Sequence, residues 1–237
     1  MMKPRIGLNC DIEETNRTRS RVWSAYHELV IQFGGVPLII PPDVHPSEVA
    51  ELLDGVVLIG GDDYRCGVED SSTPPERFLP VHPAREDADI EWARFLLDSE
   101  LPCLGICGGF QVLAVVAGGR LYGDIVQQTG SKLGHSLEAA RGDFLTHDVT
   151  WTGDLDAGPE AGRFTINSSH HQAVSTLPPD WRGLATADDG IIEAACDPTG
   201  RVVGVQWHPE LISEEPLSSA ITLRFMEWSR RQMSGSS

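Results

Sequence analysis

The chain has 237 residues, of which 41% are hydrophobic and 22% are charged. This composition is typical of a folded globular protein and excludes a largely disordered one. The 35 acidic residues outnumber the 18 basic ones and give a net charge of −17, so the surface repels polyanions. We therefore expect neither nucleic acid nor an anionic membrane as a partner.

The first half of the chain alternates short β-branched segments with longer amphipathic ones. This alternation is typical of an α/β fold with an open, mostly parallel sheet and helices on both faces. The pattern predicts strands over Arg5–Leu8, Val36–Ile40, Gly55–Ile59 and Pro102–Ile106. It predicts helices over Arg21–Phe33, Pro46–Leu53, Asp87–Glu100 and Phe110–Ala117.

A polar, proline-rich segment without periodicity, Asp62–Pro83, interrupts this alternation. A loop of that length in a compact domain is usually functional or mobile. We expect it to lie near the substrate and to form part of the substrate wall.

The second half of the chain is richer in strands and ends in a helix. The strands are predicted over Phe144–Thr150, Phe164–Asn167, Ile191–Cys196 and Val202–Gln206, and the helix over Leu217–Met233. We find no internal repeat and no low-complexity linker. The sequence therefore predicts a single domain over residues 1–233 and a disordered tail over residues 234–237.

Targeting and redox features of the sequence indicate a cytoplasmic protein. The amino-terminal segment lacks the apolar core of a signal peptide, and no run approaches the roughly 18 apolar residues of a membrane span. The five cysteines are scattered and odd in number, which favours reduced thiols. No CxxC pair and no histidine-rich cluster has the spacing of zinc ligands, so we expect no metal site and no cofactor.

Cys107 lies between a predicted apolar strand and a predicted helix, with glycine at positions 105, 108 and 109. This is the pattern of a nucleophile elbow, in which glycines make room for a sharp turn that exposes the nucleophile. A helix amino terminus also favours the thiolate form of a cysteine. The alternative is that Cys107 is a small buried hydrophobic residue beside a turn. For Cys103, which lies within the predicted strand, we interpret the side chain as a buried structural one.

His208 and Glu210 follow the predicted strand Val202–Gln206 and are separated by Pro209. A histidine at a strand end and a carboxylate two residues later can lie on one side of the turn, where the carboxylate binds one ring nitrogen and leaves the other for a thiol. The alternative is a surface histidine and a surface glutamate. Both Cys107 and His208 follow predicted parallel strands, and open α/β sheets carry their sites at that edge.

The motifs GICGGFQ, NSSHHQAV at 167–174 and GVQWHPE at 204–210 resemble those of the class I glutamine amidotransferase superfamily, within it the peptidase C26 branch of γ-glutamyl hydrolases. The similarity runs in order over nearly the whole chain and is greatest to the γ-glutamyl-γ-aminobutyrate hydrolase group. It implies a flavodoxin-like single domain of the class I glutamine amidotransferase type.

The resemblance also implies roles for individual residues. Cys107 is expected to be the nucleophile, His208 the general acid and base, and Glu210 the residue that orients the imidazole. The backbone amides of Gly61 and Gly108 are expected to form an oxyanion hole. The expected substrate-binding residues are Gly60, Gln111, Ser169, His170 and His171.

Some of these residues have a structural interpretation as well. Gly60 and Gly61 also fit a tight turn, and Gln111 fits a helix-surface amide. At least one of His170 and His171 is expected to be structural, because His208 already supplies a base. Gly108 departs from the closest group, which has arginine there, and this leaves the amine portion of the substrate open.

The resulting hypothesis is a cysteine-dependent hydrolase that cleaves a γ-glutamyl amide through a thioester and releases glutamate and an amine. One alternative is a glutaminase that delivers ammonia to a separate synthetase partner. A second alternative is a non-catalytic binding or stress protein of related fold. A homodimer is compatible with the sequence.

Overall fold

A computed structural model describes residues 2–68, 78–136, 145–156 and 158–235. The helices are α1 (Ser24–Gln32), α2 (Pro46–Val49), α3 (Pro83–Asp98), α4 (Gly108–Val116), α5 (Ile125–Thr129) and α6 (Pro216–Gly235). The strands of the central sheet are β1 (Arg5–Asn9), β4 (Val36–Ile40), β5 (Gly55–Leu58), β6 (Cys103–Ile106), β8 (Leu145–Trp151), β9 (Gly162–Ser168), β11 (Arg182–Ala187), β12 (Ile192–Cys196) and β13 (Val202–Val205). Two small ribbons contain β2 (Asp11–Glu14) with β3 (Thr18–Arg21), and β7 (Arg120–Tyr122) with β10 (Ala173–Thr176).

The nine-stranded central sheet has the strand order β4-β1-β5-β6-β13-β12-β11-β8-β9. Neighbouring strands from β4 to β13 are parallel, and those from β13 to β9 pair antiparallel. The inner parallel strands β5, β6 and β13 are continuous buried apolar runs because helices cover both of their faces, whereas the edge strand β4 is largely exposed. The predicted α/β fold is confirmed.

Two hydrophobic cores lie on the two faces of the sheet. Alternate residues of a strand point to opposite faces, and β6 accordingly sends Leu104 and Ile106 into one core and Cys103 into the other. The first core is closed by α1 and α6, which contribute Tyr26 and Phe225 among others. The second is closed by α3 and α4. Strand β6 is therefore buried on both faces.

Helix α3 begins four residues earlier than the sequence pattern predicts. Pro83 occupies its first turn, where a missing amide proton costs nothing, and the His82 side chain accepts a hydrogen bond from Ala84 N at 3.2 Å. Arg85, which lies before the predicted helix, is therefore helical, and both Arg85 and Asp89 are buried. Part of the predicted loop Asp62–Pro83 lies outside the described residues.

The helix predicted over Arg21–Phe33 is α1 (Ser24–Gln32), because Arg21 belongs to strand β3, and the sequence pattern did not predict strands β2, β3, β7, β10 and β11. Other differences are at the ends of elements. The predicted strand Phe144–Thr150 corresponds to β8, and Phe144 itself lies outside the described residues. Helix α6 includes Ser234 and Gly235, which were expected in the tail, and residues 236–237 are not described. No described helix has the length and apolar character to cross a membrane.

Candidate active site

Cys107 lies in the sharp turn between β6 and α4. Its backbone has φ 50° and ψ −109°, a strained region for any residue with a side chain. Glycines make the turn possible, because a Cβ on Gly109 would lie 2.0 Å from Leu58 O and one on Gly105 would lie 2.8 Å from Gly109 C. The turn is the elbow that the sequence predicts, and it holds the thiol at the amino terminus of α4.

His208 and Glu210 lie next to one another after β13. The Nδ1 atom of His208 is 2.7 Å from Oε1 of Glu210, and since an ionised carboxylate only accepts, Nδ1 carries a proton. The other ring nitrogen is then left for Cys107. Asn167 holds the histidine backbone from the opposite side, accepting from His208 N at 2.9 Å and donating to His208 O at 3.0 Å.

The His208 ring and the Cys107 side chain both pack against Gly60. A Cβ placed on Gly60 would lie 3.1 Å from His208 Cε1 and 3.4 Å from Cys107 Cβ. Burial lowers the pKa of His208, but the negative charges of Glu210 and Cys107 and the hydrogen bonds to both raise this pKa well above its ordinary value. The arrangement therefore favours an imidazolium beside the thiol.

The amides of Gly61 and Gly108 lie beside the thiol. Gly61 follows β5, Gly108 is the first residue of α4, and a Cβ on Gly108 would lie 3.4 Å from Gly61 N. Within the described residues, neither amide has a backbone or side-chain acceptor. Two such amides next to a nucleophile are able to bind a developing oxyanion.

Arg85 supports the loop of Gly60 and Gly61 from beneath. Its side chain is fully buried and donates from Nη2 to Ile59 O at 3.2 Å and to Gly60 O at 2.9 Å. Its Nε donates to Asp89 Oδ2 at 3.0 Å. A Cβ on Gly61 would lie 2.6 Å from Arg85 Nη1, so the guanidinium requires glycine at this position.

Asp89 accepts hydrogen bonds that connect Arg85 to Asn9 of strand β1. Besides Arg85, it accepts from Asn9 Nδ2 and from the Tyr64 hydroxyl, both at 2.6 Å. Asn9 Oδ1 in turn accepts from Ile59 N at 2.7 Å. Sequence reasoning missed this network, because charged residues are expected at the surface and nothing in the sequence marks these as buried.

A cavity of ≈ 510 Å³ opens above the thiol. Of the predicted site residues, it is lined by Cys107, His208, Glu210, Gly60, Gly61 and Ser169. The structure thus brings the three predicted catalytic residues to one cavity. Tyr26, Trp23 and residues of the β2–β3 hairpin also line it, and none of these was predicted.

Gln111 is buried and does not line this cavity. Its Nε2 donates to Gln172 O at 3.0 Å and to Gln206 Oε1 at 3.2 Å. Gln206 Nε2 then lies 3.5 Å from Cys107 Sγ. Gln206 was missed, although it lies between the end of β13 and the Trp-His-Pro-Glu motif.

His170 and His171 also lie away from the thiol. Both line a second cavity of ≈ 150 Å³. His171 Nε2 is 2.7 Å from Asp63 Oδ1, and His170 Nδ1 is 2.9 Å from Gln172 O. The structure therefore brings Ser169, but not the two histidines, together with Cys107.

The peptidase C26 family model matches residues 4–210. The chain belongs to the peptidase C26 family. A Schizosaccharomyces pombe relative is 31% identical over 88% of this chain and 82% of its own length. The γ-glutamyl-γ-aminobutyrate hydrolase of Escherichia coli O157:H7 is 29% identical over 93% of this chain and 91% of its own length. The resemblance stated from the motifs is confirmed, and this peptidase C26 protein is a hydrolase that acts on carbon–nitrogen bonds.

Solved structures agree with this fold. A Thermoplasma acidophilum protein of 19% identity superposes with a TM-score of 0.68 over 100% of this chain and 98% of that chain. A glutamine amidotransferase from Thermotoga maritima, 17% identical, gives a TM-score of 0.58 with full coverage of both chains. At these identities the comparison establishes the class I glutamine amidotransferase fold alone.

Gly108 of this peptidase C26 chain packs against an aromatic ring. A Cβ on Gly108 would lie 2.9 Å from Tyr64 Cε2. Tyr64 is fully buried and held by Asp89, so it is not free to move aside. An arginine, which the motif comparison with the γ-glutamyl-γ-aminobutyrate hydrolase group aligns with Gly108, therefore has no room here.

Cys103 is the second thiol near the elbow. It is fully buried in β6, and burial raises the pKa of its thiol. None of the described hydrogen bonds joins it to a basic side chain. This environment is that of a structural cysteine, as the sequence predicts.

Proposed function

We propose that the protein hydrolyses γ-glutamyl amide bonds through a γ-glutamyl thioester on Cys107, with His208 and Glu210 completing a catalytic triad. The observation that carries this proposal is the strained thiol beside a histidine whose far nitrogen is bound by a carboxylate at 2.7 Å. A thiol with only a structural role needs neither the strained turn nor the paired base.

The acylation step begins with attack of the Cys107 thiolate on the amide carbonyl carbon. A carbon–sulfur bond forms, and the carbonyl oxygen becomes an oxyanion that the amides of Gly61 and Gly108 stabilise. Collapse of this intermediate breaks the carbon–nitrogen bond. The protonated His208 gives its Nε2 proton to the departing amine, which leaves neutral.

The deacylation step returns the enzyme to its starting state. The neutral His208 accepts a proton from water, and the resulting hydroxide attacks the thioester carbonyl. The carbon–sulfur bond breaks, which restores the thiolate beside the imidazolium and leaves a γ-carboxylic acid. This acid gives its proton to water, and glutamate is released. Side chains and backbone amides carry every step of this sequence.

The nearest alternative is a glutaminase that serves a separate synthetase. The observation in its favour is a relative in Thermus thermophilus, a glutamine-hydrolysing GMP synthase, 30% identical over 80% of this chain but only 31% of its own length. The nearly complete coverage of the Escherichia coli hydrolase supports the stand-alone reaction instead. A non-catalytic protein of related fold is disfavoured by the His208–Glu210 pair.

The test is glutamate release by the purified protein from a panel of γ-glutamyl amides that includes glutamine. We expect turnover of at least one amide at a rate that added proteins do not raise. Cys107→Ala should abolish it, whereas folded Cys103→Ala should retain it. A protein inert alone that becomes a glutaminase when a synthetase is added would establish the alternative.

A further inference from the structure

A cluster of buried imidazoles surrounds the carboxylate of Glu193, outside the cavity of Cys107. Glu193 lies in β12 and is fully buried, and His135, His147 and His170 are each at most 6% exposed. Glu193 Oε1 is 3.1 Å from His147 Nε2, 3.4 Å from His135 Nδ1 and 3.7 Å from His170 Nε2. Three histidines from distant parts of the chain therefore face one buried anion.

His170 directs a lone pair at this anion. Its Nδ1 lies 2.9 Å from Gln172 O, and since a carbonyl only accepts, Nδ1 carries the proton of the neutral ring. The lone pair is then on Nε2, on the side of Glu193. This buried Nε2 has no hydrogen-bond partner among the described residues.

His135 repeats this arrangement from the other side. Its Nε2 lies 2.9 Å from Asp189 Oδ2, so Nε2 carries the proton and the lone pair of the neutral ring is on Nδ1. Neither this Nδ1 nor Glu193 Oε2 has a hydrogen-bond partner within the described residues. Buried acceptors that face one another without a proton between them are costly, and a cation between them would satisfy all three groups.

We propose that His135, His170 and Glu193 bind a divalent transition-metal ion of the Zn²⁺ type. Ligands held tetrahedrally at about 2.1 Å from zinc lie roughly 3.4 Å apart, and the carboxylate oxygen is 3.4 and 3.7 Å from the two ring nitrogens. All three ligand atoms lie within 4.8 Å of one another. Two imidazoles select zinc and its neighbours over magnesium or calcium, which prefer oxygen ligands.

The groups around these three ligands fit the same assignment. Histidines that bind a metal commonly donate their other N–H to a carboxylate or a carbonyl, which fixes the tautomer and the ring orientation. Asp189 does this for His135, and Gln172 O does it for His170. His147 Nε2 lies within hydrogen-bond distance of the Glu193 carboxylate and holds it in place.

The site would join segments that also reach the candidate active site. His170 adjoins Ser169, which lines the cavity of Cys107. The Glu193 carbonyl accepts from Gln206 N at 2.7 Å, and the Gln206 side chain lies 3.5 Å from Cys107 Sγ. A metal here would tie the 168–172 segment and the His135 segment to β12, and its role would be structural.

The experiment uses the Cys107→Ala variant. Because this variant lacks the active-site thiol, Cys107 and His208 cannot together bind zinc in it. The protein is stripped with a chelator, then titrated with Zn²⁺ by calorimetry and with Co²⁺ by visible absorption. We expect one equivalent per chain and the absorption of four-coordinate Co²⁺ without a thiolate band. Because the parent is inactive by design, this result is independent of the proposed hydrolysis.

Two ligand variants and one control locate the ion. Glu193→Gln and His170→Gln should each weaken Zn²⁺ binding at least tenfold, with folding checked by circular dichroism. His45→Gln, at the exposed His45–Glu91 pair, should leave binding unchanged. A folded parent that takes up no Zn²⁺, or folded ligand variants that bind it as the parent does, would overturn the proposal and leave protons as the counter-charge of Glu193.

Discussion

At Cys107 the backbone is held at φ 50°, and a conformation of this kind costs a residue with a side chain about 1–3 kcal/mol. The surrounding fold maintains it through close packing. A Cβ on Gly204 of the neighbouring strand would lie 1.9 Å from the Phe110 ring, which places this α4 residue directly against the sheet. The turn and the helix after it are therefore over-determined by contacts that only glycine permits.

The Glu210 carboxylate controls the pH range in which His208 is protonated. Glu210 raises the pKa of His208, and the proposed mechanism requires a protonated His208 to release the amine. Activity should therefore be lost as pH rises through that pKa. Glu210→Gln removes the charge and lowers the pKa. We therefore expect the alkaline limb of kcat/KM to move to lower pH in this variant.

The control for this measurement is Glu214→Gln, an exposed glutamate hydrogen-bonded to Gln32. It should leave the alkaline limb where the wild type has it. An alkaline limb that does not move in Glu210→Gln would mean that Glu210 does not act on the catalytic histidine.

Individual residues differ in how well the sequence predicts them. Cys107, His208 and Glu210 lie in short contiguous motifs after strands, so local pattern is enough to place them at one edge of the sheet. Arg85 and Asp89 lie in a polar stretch, and their burial depends on Asn9 and Tyr64 from other parts of the chain. Contacts of this kind are tertiary, and no periodicity encodes them.

The β2–β3 hairpin lines the cavity of Cys107, but the sequence pattern did not predict it. Apart from Ile12, the residues of its two strands are polar, without the alternation of a half-buried strand, and β3 is fully exposed. Yet Asp11 and Arg21 of this hairpin line the cavity. Of the predicted wall Asp62–Pro83, Asp62 lines the cavity among the described residues.

Trp23 follows the hairpin and stands at the mouth of the cavity. Its side chain is 69% exposed and lines the space above the thiol, which suits contact with the amine portion of a substrate. We expect Trp23→Ala to change the ratios of kcat/KM among γ-glutamyl amides by about tenfold, because one pocket contact is worth that much. The melting temperature should hardly change, since little buried surface is lost.

The matched control for Trp23→Ala is Leu52→Ala, at a residue that is 55% exposed and does not line the cavity. It should leave all ratios as they are. If Trp23→Ala lowered kcat/KM by the same factor for every amide, the residue would have no part in selecting the amine.

At the scale of the whole molecule, the sequence pattern predicts the strands of the parallel half of the sheet better than those of the antiparallel half. The parallel strands are apolar runs, of which β5, β6 and β13 are buried throughout, and the pattern predicts each of them. In the antiparallel half, β11 has the sequence RGLATA, whose small and polar residues give no strand signal. Its place is fixed by pairing with β12 and β8, which only the folded sheet supplies.

The cluster of two histidines and a glutamate that we propose as a metal site lies beside this antiparallel half of the sheet. His135, His170 and Glu193 lie far apart in the chain and have no ligand spacing, so no metal site was expected from the sequence. Glu193 lies in β12, and the loops of His135 and His170, joined by a hydrogen bond from His170 N to His135 O at 2.7 Å, bring the three ligand atoms within 4.8 Å of one another. Topology, rather than motif, creates this cluster.

The most direct test of the central claim is the intact mass of the protein during turnover. A γ-glutamyl anilide with a good leaving group should acylate Cys107 faster than water removes the acyl group, so acid quenching in the first turnover should trap the thioester. We expect a mass gain of one γ-glutamyl group, located by peptide mapping on Cys107 and lost on treatment with hydroxylamine. Acylation of a different residue, or turnover by Cys107→Ala at the wild-type rate, would contradict the account.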